Sequence, residues 1–495
     1  MPALQQRRLP PYIWSFTTYF AEGFPYTIIR TISSVFFRDR GMSLEAIGLT
    51  SMYGLPWILK FLWAPQVDAY GTKRVWLLSS EGILVLFLLA TALLAPLSAA
   101  PLLIAVLFFA GAFVAATHDV AIDGYYMEVL DERGQSKFIG YRVMAYRIAM
   151  MTGTGIIVTI GTRIGWTPAF AGSFGMLCLL FGFHFFYLPE CQQPGKTFGV
   201  LLVRASRPEL LKWPAAAAIA ILLLHFLTGS HLYQALTEEV PALKSFTFSA
   251  WIGLLLLFSL ICAGVFRRKI TAWLTRDPES YYAGAFLSFM DREKISVILL
   301  FIIFIRTGEF MLTAMAAPFM VDLGIKVHYG WISGAVGLPC SIIGALIGGW
   351  LIARFSLHRM IWPFLLAQNF TNLVYMALAF YLARYLAINT GNVNPTPLGA
   401  SNIFYIAAVH GFDQLAGGLG TAVLMTFLMR LCKATHKAAH YAIGTGLMSV
   451  SGLYAGVLSG FLASWFGYGY FFGISFLLSI PGMLLIPTLP KEVLR

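Results

Sequence analysis

The sequence predicts an all-α polytopic membrane protein: two six-helix bundles with two extra helices between them, fourteen transmembrane helices in all. Three observations lead there. Of the 495 residues, 58% are hydrophobic and only 11% charged, where a soluble domain carries about 25% charged residues. Apolar runs repeatedly reach the ~20 residues that cross a bilayer as a helix, and they are long and Gly-rich, unlike the short alternating segments of a membrane barrel. The chain also repeats itself: FFRDRGMSLEAIGLTSMYGLP (36–56) matches FMVDLGIKVHYGWISGAVGLP (319–339) at a constant offset, with Gly41 on Gly324 and Gly54-Leu55-Pro56 on Gly337-Leu338-Pro339.

Taken in order, the first span (11–37) follows Arg7 and Arg8. It contains Glu22 and Arg30 and no small-residue cleavage site, so it reads as a retained span and not a cleaved leader. Spans 45–66, 76–96, 101–125, 138–162 and 168–189 complete the first half. Spans 214–236 and 249–266 form the inserted pair, whose apolar stretches hold no Asp, Glu, Lys or Arg. The second half runs through 295–322, 329–353, 359–386, 401–430, 437–464 and 466–488. The halves end alike, GWTPAF…LPE (165–190) against GYGYFF…LPK (467–491). The domains are therefore 1–190, an inserted segment 191–294, and 295–495.

The net charge of +12 is an orientation signal and not a nucleic-acid footprint. One set of alternate loops carries most of the basic residues, among them Arg7, Arg8, Lys73, Arg74, Arg133, Lys137, Arg267, Arg268, Lys269, Arg354, Arg359, Arg430, Lys433, Lys437, Lys491 and Arg495. The other set holds Arg38, Arg40, Arg163, Lys244, Lys326 and Arg384. Positive charge stays inside, so both termini are expected in the cytoplasm. The five cysteines show no paired spacing, which argues against a disulfide frame or a zinc site.

An ionised group at the bilayer centre costs about 2.5–3.5 kcal/mol on insertion scales, so charges kept there face one another or a wet cavity. The candidates are Glu22, Arg30, Lys60, Asp119, Asp123, Arg142, Arg147, Arg306, Glu309 and Asp413, all in the repeated halves. Asp119 and Asp123, in ATHDVAIDGY (116–125), lie four apart on one helical face. Two close acids in low dielectric resist double ionisation, which suits a proton carrier, and Arg147 could compensate the second charge. Asp123 has a second reading, as a rim residue bridging to Arg142 or Lys137. His118 reads as a packing residue or a proton relay. Arg306 and Glu309 can pair within one helix, either structurally or so that protonating Glu309 releases Arg306 to an anion. Glu22 sits beside Gly23 and Pro25, a break that often borders a cavity. The proton-coupling candidates are thus Asp119, Asp123, Glu309 and Glu22.

For a bulky anionic solute, Arg30, Lys60, Arg147 and Arg306 are candidate cations, and Tyr19, Tyr53 and Trp57 candidate aromatic platforms. Asn369, Asp413 and Gln414 supply polar contacts or, alternatively, helix–helix glue, as does Asn372. Successive GxxxG steps at Gly452, Gly456 and Gly460, and the step at Gly344 and Gly348, read as close helix packing. The stretch APQVDAYGTKR (64–74) supplies a cytoplasmic charge latch from Asp68, Lys73 and Arg74, with Arg142 as a fourth member. No Walker A loop, HExxH helix or GxSxG elbow is present, so no enzymatic chemistry, cofactor or metal is indicated.

Two parallel six-span repeats resemble the major facilitator superfamily, and APQVDAYGTKR is similar to that superfamily's loop pattern Gly-x-x-x-Asp-Arg-x-Gly-Arg-Arg, departing from it at Ala64 and Ala69. More specifically, YFAEGFP (19–25), LPWILKFLWAPQVDAYG (55–71), ATHDVAIDGY, GYRVMAYRIAMM (140–151), TGEFMLTAMAAPFMVDLG (307–324) and FDQLAGGLGTAVLMTFLMRLC (412–432) resemble the AmpG-type muropeptide permeases. The resemblance spans both halves in order and omits the insert. It implies a proton-driven importer of the bacterial inner membrane, a monomer by default. The implied cargo is N-acetylglucosaminyl-anhydro-N-acetylmuramyl-peptide, recovered for cell-wall recycling and linked to β-lactamase induction. Acetyl-coenzyme A transporters share the wider relationship, and a membrane sensor of the same fold is a further alternative.

Overall fold

The computed structural model describes residues 10–40, 53–97, 100–190, 230–239, 281–390 and 396–494, with single positions between 223 and 272. The expected spans 214–236 and 249–266 lie largely outside the described residues, as does Gly41. Eight described helices are long and apolar enough to cross a membrane, or nine if a bent pair counts as one span.

In the first half, α1 (Pro11–Thr27) runs through a π-turn at Ile28–Ile32 into α2 (Ser33–Asp39). Pro25 lies inside α1, where it removes a backbone donor one turn beyond Glu22, and Arg30 lies in the π-turn. The second span is broken: α3 (Leu55–Leu59), a 3-10 turn at Lys60–Leu62, then α4 (Ala64–Ala69) opened by Pro65. There follow α5 (Lys73–Leu94), α6 (Ala100–Val129), α7 (Glu132–Met151), a π-turn at Thr152–Ile157, α8 (Val158–Arg163) and α9 (Trp166–Tyr187). The next helices are α10 (His231–Glu239) and α11 (Tyr281–Met290).

The second half begins with α12 (Ile295–Phe304) and α13 (Thr307–Asp322), one span interrupted at Arg306. Then come α14 (Lys326–Trp331), a π-turn at Ile332–Gly337, α15 (Leu338–Phe355), α16 (Leu357–Tyr381) bent by 66° into α17 (Ala383–Asn389), α18 (Ala400–Arg430), α19 (Lys437–Leu484) and α20 (Lys491–Leu494). Inside α19, Gly467 leaves the helical region at φ 72°, which separates the last two spans. The described residues form two compact units. Residues 431–446 and α11 up to Phe289 belong with the first half, and Met290–Arg430 and 447 onward form the second unit.

The internal repeat has an atomic counterpart. At the end of the first span Asp39 Oδ2 accepts the indole N–H of Trp166 at 2.6 Å. At the end of the corresponding span of the second half Asp322 Oδ2 accepts the hydroxyl of Tyr468 at 2.7 Å. Each aromatic follows a glycine of positive φ, Gly165 at 136° and Gly467 at 72°, a region side chains avoid. Each half therefore joins its first helix to its last by the same aromatic-to-aspartate clasp.

Close packing follows one GxxxG step and not the other. A side chain on Gly348 would stand 2.9 Å from the Ala422 Cβ, so α15 and α18 touch backbone to backbone as small-residue interfaces do. Gly456 and Gly460 face no described atom within 4 Å, contrary to the expectation for that stripe.

Candidate functional site

The polar interior of the first unit is built on α1, the broken second span, α6 and α7. The carboxylates of Glu22, Asp119 and Asp123 each present an oxygen within 4.8 Å of the others. Asp119 and Asp123 are buried, while Glu22 keeps some exposure. Lys60, at the break in the second span, places Nζ 2.8 Å from Asp119 Oδ2. Arg142 of α7 places Nη2 2.6 Å from Asp123 Oδ1, the same oxygen that accepts the Tyr19 hydroxyl at 2.8 Å. The Arg142 guanidinium lies 4.2 Å from the Tyr19 ring centroid and 5.0 Å from that of Tyr126, and it reaches the Tyr441 hydroxyl at 3.2 Å. Among the described residues, Glu22 Oε2 is buried with no hydrogen-bond partner.

Lys60 and Arg142 stand against the two aspartates: Arg142 is a partner that the rim reading gave Asp123, whereas Lys60 was not read as the partner of Asp119. Arg142, read as a member of the latch, bridges to Asp123 as that reading had it, and it also reaches Tyr441. Three carboxylates so close together in low dielectric resist full ionisation, and a proton on one of them relieves the repulsion.

Other first-half candidates divide by surroundings. The Arg30 guanidinium fills the space left by Gly54, its Nη1 2.6 Å from where a Cβ would stand. Trp57 packs edge-on against Tyr26 at 5.0 Å, and Tyr26 lies 5.8 Å from Tyr146, giving an aromatic wall that includes two tyrosines the sequence reading did not single out. Tyr53 is committed to packing: its hydroxyl donates to the Ala105 carbonyl at 3.2 Å and its ring meets Phe108. Tyr19 is buried, with Arg142 over one face of its ring and Tyr126 edge-on to it. His118 is fully buried, and both its ring nitrogens lack a partner among the described residues. A further, fully buried pair was missed, Glu81 of α5 with His184 of α9 at 2.8 Å. The signal was available, since Glu81 is an acid inside an expected span.

In the second unit Arg306 sits at the interruption between α12 and α13 and forks onto both carboxylate oxygens of Glu309, which also accepts from the Gln368 amide. Glu309 lies in the first turn of α13, where backbone N–H groups favour negative charge. Asp413 accepts from Thr371 at 2.8 Å and from Gln414 at 3.2 Å. The Asn369 amide is buried without a partner among the described residues, and Asn372 accepts from Ser475 at 2.6 Å.

The motif residues Asp68, Lys73 and Arg74 make contacts that extend to residues the sequence did not indicate. Asp68 pairs with Lys73 at 2.8 Å and also accepts the backbone N–H groups of Ala438 and Ala439 at 3.2 and 2.8 Å, capping the start of α19. Lys437 donates to the Met127 carbonyl at 2.8 Å. Arg74 ties α5 to the end of α9 through the Leu188 and Phe185 carbonyls. His436 stacks on His440 and meets the ring of Tyr281 at a tilt, and the Tyr281 hydroxyl donates to the Thr435 carbonyl. Partial burial lowers the His436 pKa, Asp68 opposes this and Lys433 adds to it. A depressed imidazole contributes stability at higher pH that is lost as pH falls through its folded value.

Removing a side-chain cap costs about 1 kcal/mol, roughly a fivefold change in an equilibrium. Asp68→Ala is therefore expected to speed amide exchange of residues 438 and 439 by about that factor, read by hydrogen-exchange mass spectrometry, with Asp68→Asn intermediate. Unchanged exchange in Asp68→Ala would show that the cap holds nothing.

Comparison with known proteins agrees with this architecture. The family model described as Major Facilitator Superfamily matches residues 15–305. The "Anhydromuropeptide permease" of Escherichia coli (strain K12) is 23% identical over 477 residues, covering 94% of this chain and 77% of that one. An uncharacterized protein of Haemophilus influenzae is 24% identical over 94% of this chain and 91% of its own. The "Putative transporter AmpG 4" of Rickettsia conorii is 22% identical over 95% and 94%. Among solved structures, the proton:xylose symporter XylE bound to 6-bromo-6-deoxy-D-glucose superposes with a TM-score of 0.59 at 12% identity, over 96% of this chain and 94% of that one.

Proposed function

Because the chain belongs to the major facilitator superfamily and is an AmpG-type permease by its relatives, we propose that it imports anhydromuropeptides together with protons, by alternating access. We place it in the bacterial inner membrane with both termini in the cytoplasm, as the loop charges suggest. The multi-pass membrane architecture and the transporter class are the premises of this reading.

The observation that carries it is the cluster of Glu22, Asp119 and Asp123 with Lys60 and Arg142. A muropeptide carries sugar rings and stem-peptide carboxylates. A cargo carboxylate that draws Lys60 from Asp119 leaves Asp119 buried and unpaired, a state that a proton relieves. Anion capture and proton uptake are thereby linked and favour symport. Arg30, Arg147 and Arg306 are further cations, suited to carboxylates by their forked donors, and Trp57 with Tyr26 and Tyr146 offers aromatic surface for a sugar face. Glu22, the acid with residual exposure, is the entry point for the proton.

The test is uptake of labelled anhydromuropeptide into proteoliposomes under an imposed pH gradient, acid outside. Accumulation that collapses with a protonophore is expected. No uptake under a gradient that the vesicles demonstrably hold rejects this cargo.

A further inference from the structure

We propose that α11, the last helix of the inserted segment, is a strap that fastens the start of α19 to the first unit, and that it holds only while His440 is neutral, so that a proton on this imidazole lets it go. The fastening itself does not depend on the cargo; its consequence for transport rests on the proton-coupled importer and the orientation proposed above.

The sequence of α11, YYAGAFLSFM, carries no acid or base. Ala283, Ala285 and Phe289 are buried, and the helix packs on the turn and first residues of α19. Tyr281 meets the His436 ring at 4.6 Å, and its hydroxyl donates to the Thr435 carbonyl. Phe289 meets the His440 ring edge-on at 5.4 Å. Phe286 stands edge-on to Phe61 at 6.3 Å, and Phe61 follows Lys60 in the break of the second span. α19 comes down on the same break because Gly446 has no side chain: a Cβ there would stand 3.2 Å from the Phe61 ring and 3.3 Å from the Ile58 carbonyl. The strap, the start of α19 and the break at Lys60 are thus one packed corner, and all of it belongs to the first unit.

His440 is the bolt, and its partners fix where its hydrogen sits. The residue is 1% exposed. Its Nδ1 accepts the backbone N–H of Lys433 at 3.2 Å. A backbone N–H only donates, so Nδ1 is bare and the one hydrogen of the neutral ring is on Nε2. Nε2 lies 3.0 Å from the Ala285 carbonyl and 3.1 Å from the Ser288 hydroxyl, both on α11. A single tautomer therefore ties α11 to the loop before α19. The charged ring has hydrogens on both nitrogens, and its Nδ1–H would point at the Lys433 N–H. Neither can turn aside while Nε2 stays on α11, so charging the ring breaks the tie. The neighbouring groups do not favour the charge. The loop supplies Cys432, Lys433 and the His436 ring, stacked on His440 at 5.5 Å, and a second cation beside these is disfavoured. Asp68 of α4 is already held by Lys73 and by the N–H groups of Ala438 and Ala439. Lys437 donates to the Met127 carbonyl, and Arg142 of α7 is held by Asp123 and Tyr441. Protons therefore bind better to the released strap, and acid shifts the balance toward release. In the proposed orientation this corner faces the cytoplasm, so the acidity that proton import produces slackens the corner on which Lys60 stands.

The test is hydrogen-exchange mass spectrometry of the full chain in lipid at about pH 8 and about pH 5.5, either side of the ordinary histidine value of about 6.5, with each rate divided by the intrinsic rate at that pH. Residues 284–290 and 438–443 are expected to lose roughly fivefold to tenfold in protection at the lower pH, the effect of one or two hydrogen bonds, while α15 keeps its own. His440→Phe keeps a ring against Phe289 but neither bonds nor titrates, and should be weakly protected at both values. His436→Phe keeps the stack and leaves His440 free to titrate, and should respond to pH as the wild type does. Equal protection of the wild type at the two pH values overturns the proposal, as does a pH response that survives in His440→Phe. A response lost in His436→Phe would put the proton on the other imidazole and overturn it too. A strap that responds in a chain taking up no anhydromuropeptide sustains this inference while removing the cargo; uptake by a chain whose strap ignores pH does the reverse.

Discussion

Asp119→Asn is expected to reduce the steady-state concentration ratio of labelled anhydromuropeptide across a proteoliposome membrane to unity under a pH gradient, while exchange of cargo across the membrane continues. An asparagine cannot carry the proton, so the gradient no longer does work on the solute, but a route with its cations intact still binds it. The same change leaves the Lys60 ammonium, 5% exposed, without the carboxylate 2.8 Å away. Breaking a buried pair by removing one partner costs about 3–5 kcal/mol, enough to unfold a marginal protein. The control is Asp119→Asn with Lys60→Met, which removes both charges and is expected to restore the melting temperature without restoring accumulation. If the folded double variant still concentrates cargo, Asp119 is not the carrier.

Arg142→Ala is expected to be the most destabilising single change in the first half. It uncovers Asp123, empties the face of Tyr19, and removes the donor to Tyr441. The stranded carboxylate alone costs about 3–5 kcal/mol, and a desolvated cation–π contact adds about 2 kcal/mol. Thermal melting in detergent should show a loss of fold at temperatures the wild type survives. Arg142→Lys keeps the charge but not the flat fork, and should fall between the two. Arg142→Met with Asp123→Leu should recover most of the loss. A melting temperature within a degree or two of wild type for Arg142→Ala would show that Asp123 is solvated or neutral.

How much of this was legible in the sequence depends on what each feature requires. Span positions were readable because a bilayer demands length and apolarity; outside the second span and the insert, the described helices begin and end within about six residues of the expected spans, the largest gap being Glu132 against 138. The span expected at 101–125 continues to Val129 because the chain stays helical to the polar stop at Asp131, which caps the next helix. The acids were readable because charge in a membrane is conspicuous. Two of their partners were readable as well, Arg142 for Asp123 and Arg306 for Glu309, but Lys60 for Asp119 was not. Which cation meets Asp119 depends on the depth and rotation of two helices from distant parts of the chain, and Arg147 and Lys60 differ in neither charge nor apparent burial when read as letters. The break at Lys60–Leu62, which points Lys60 inward, has no strong breaker within it; Pro65 follows only later. The Asp68 cap on α19 was out of reach for the same reason, since the groups that donate to it are backbone N–H groups of residues that carry no polar side chain.

The two aromatic-to-aspartate clasps carry a lesson about how ancient doubling is detected. Trp166 and Tyr468 share neither letter nor ring, yet each delivers one hydrogen to the same acid at the same corner. A comparison that scores identities counts that position as lost, although what was inherited is the bond. Duplicated halves in other chains that have drifted beyond recognition by letters should be recoverable by matching who donates to whom.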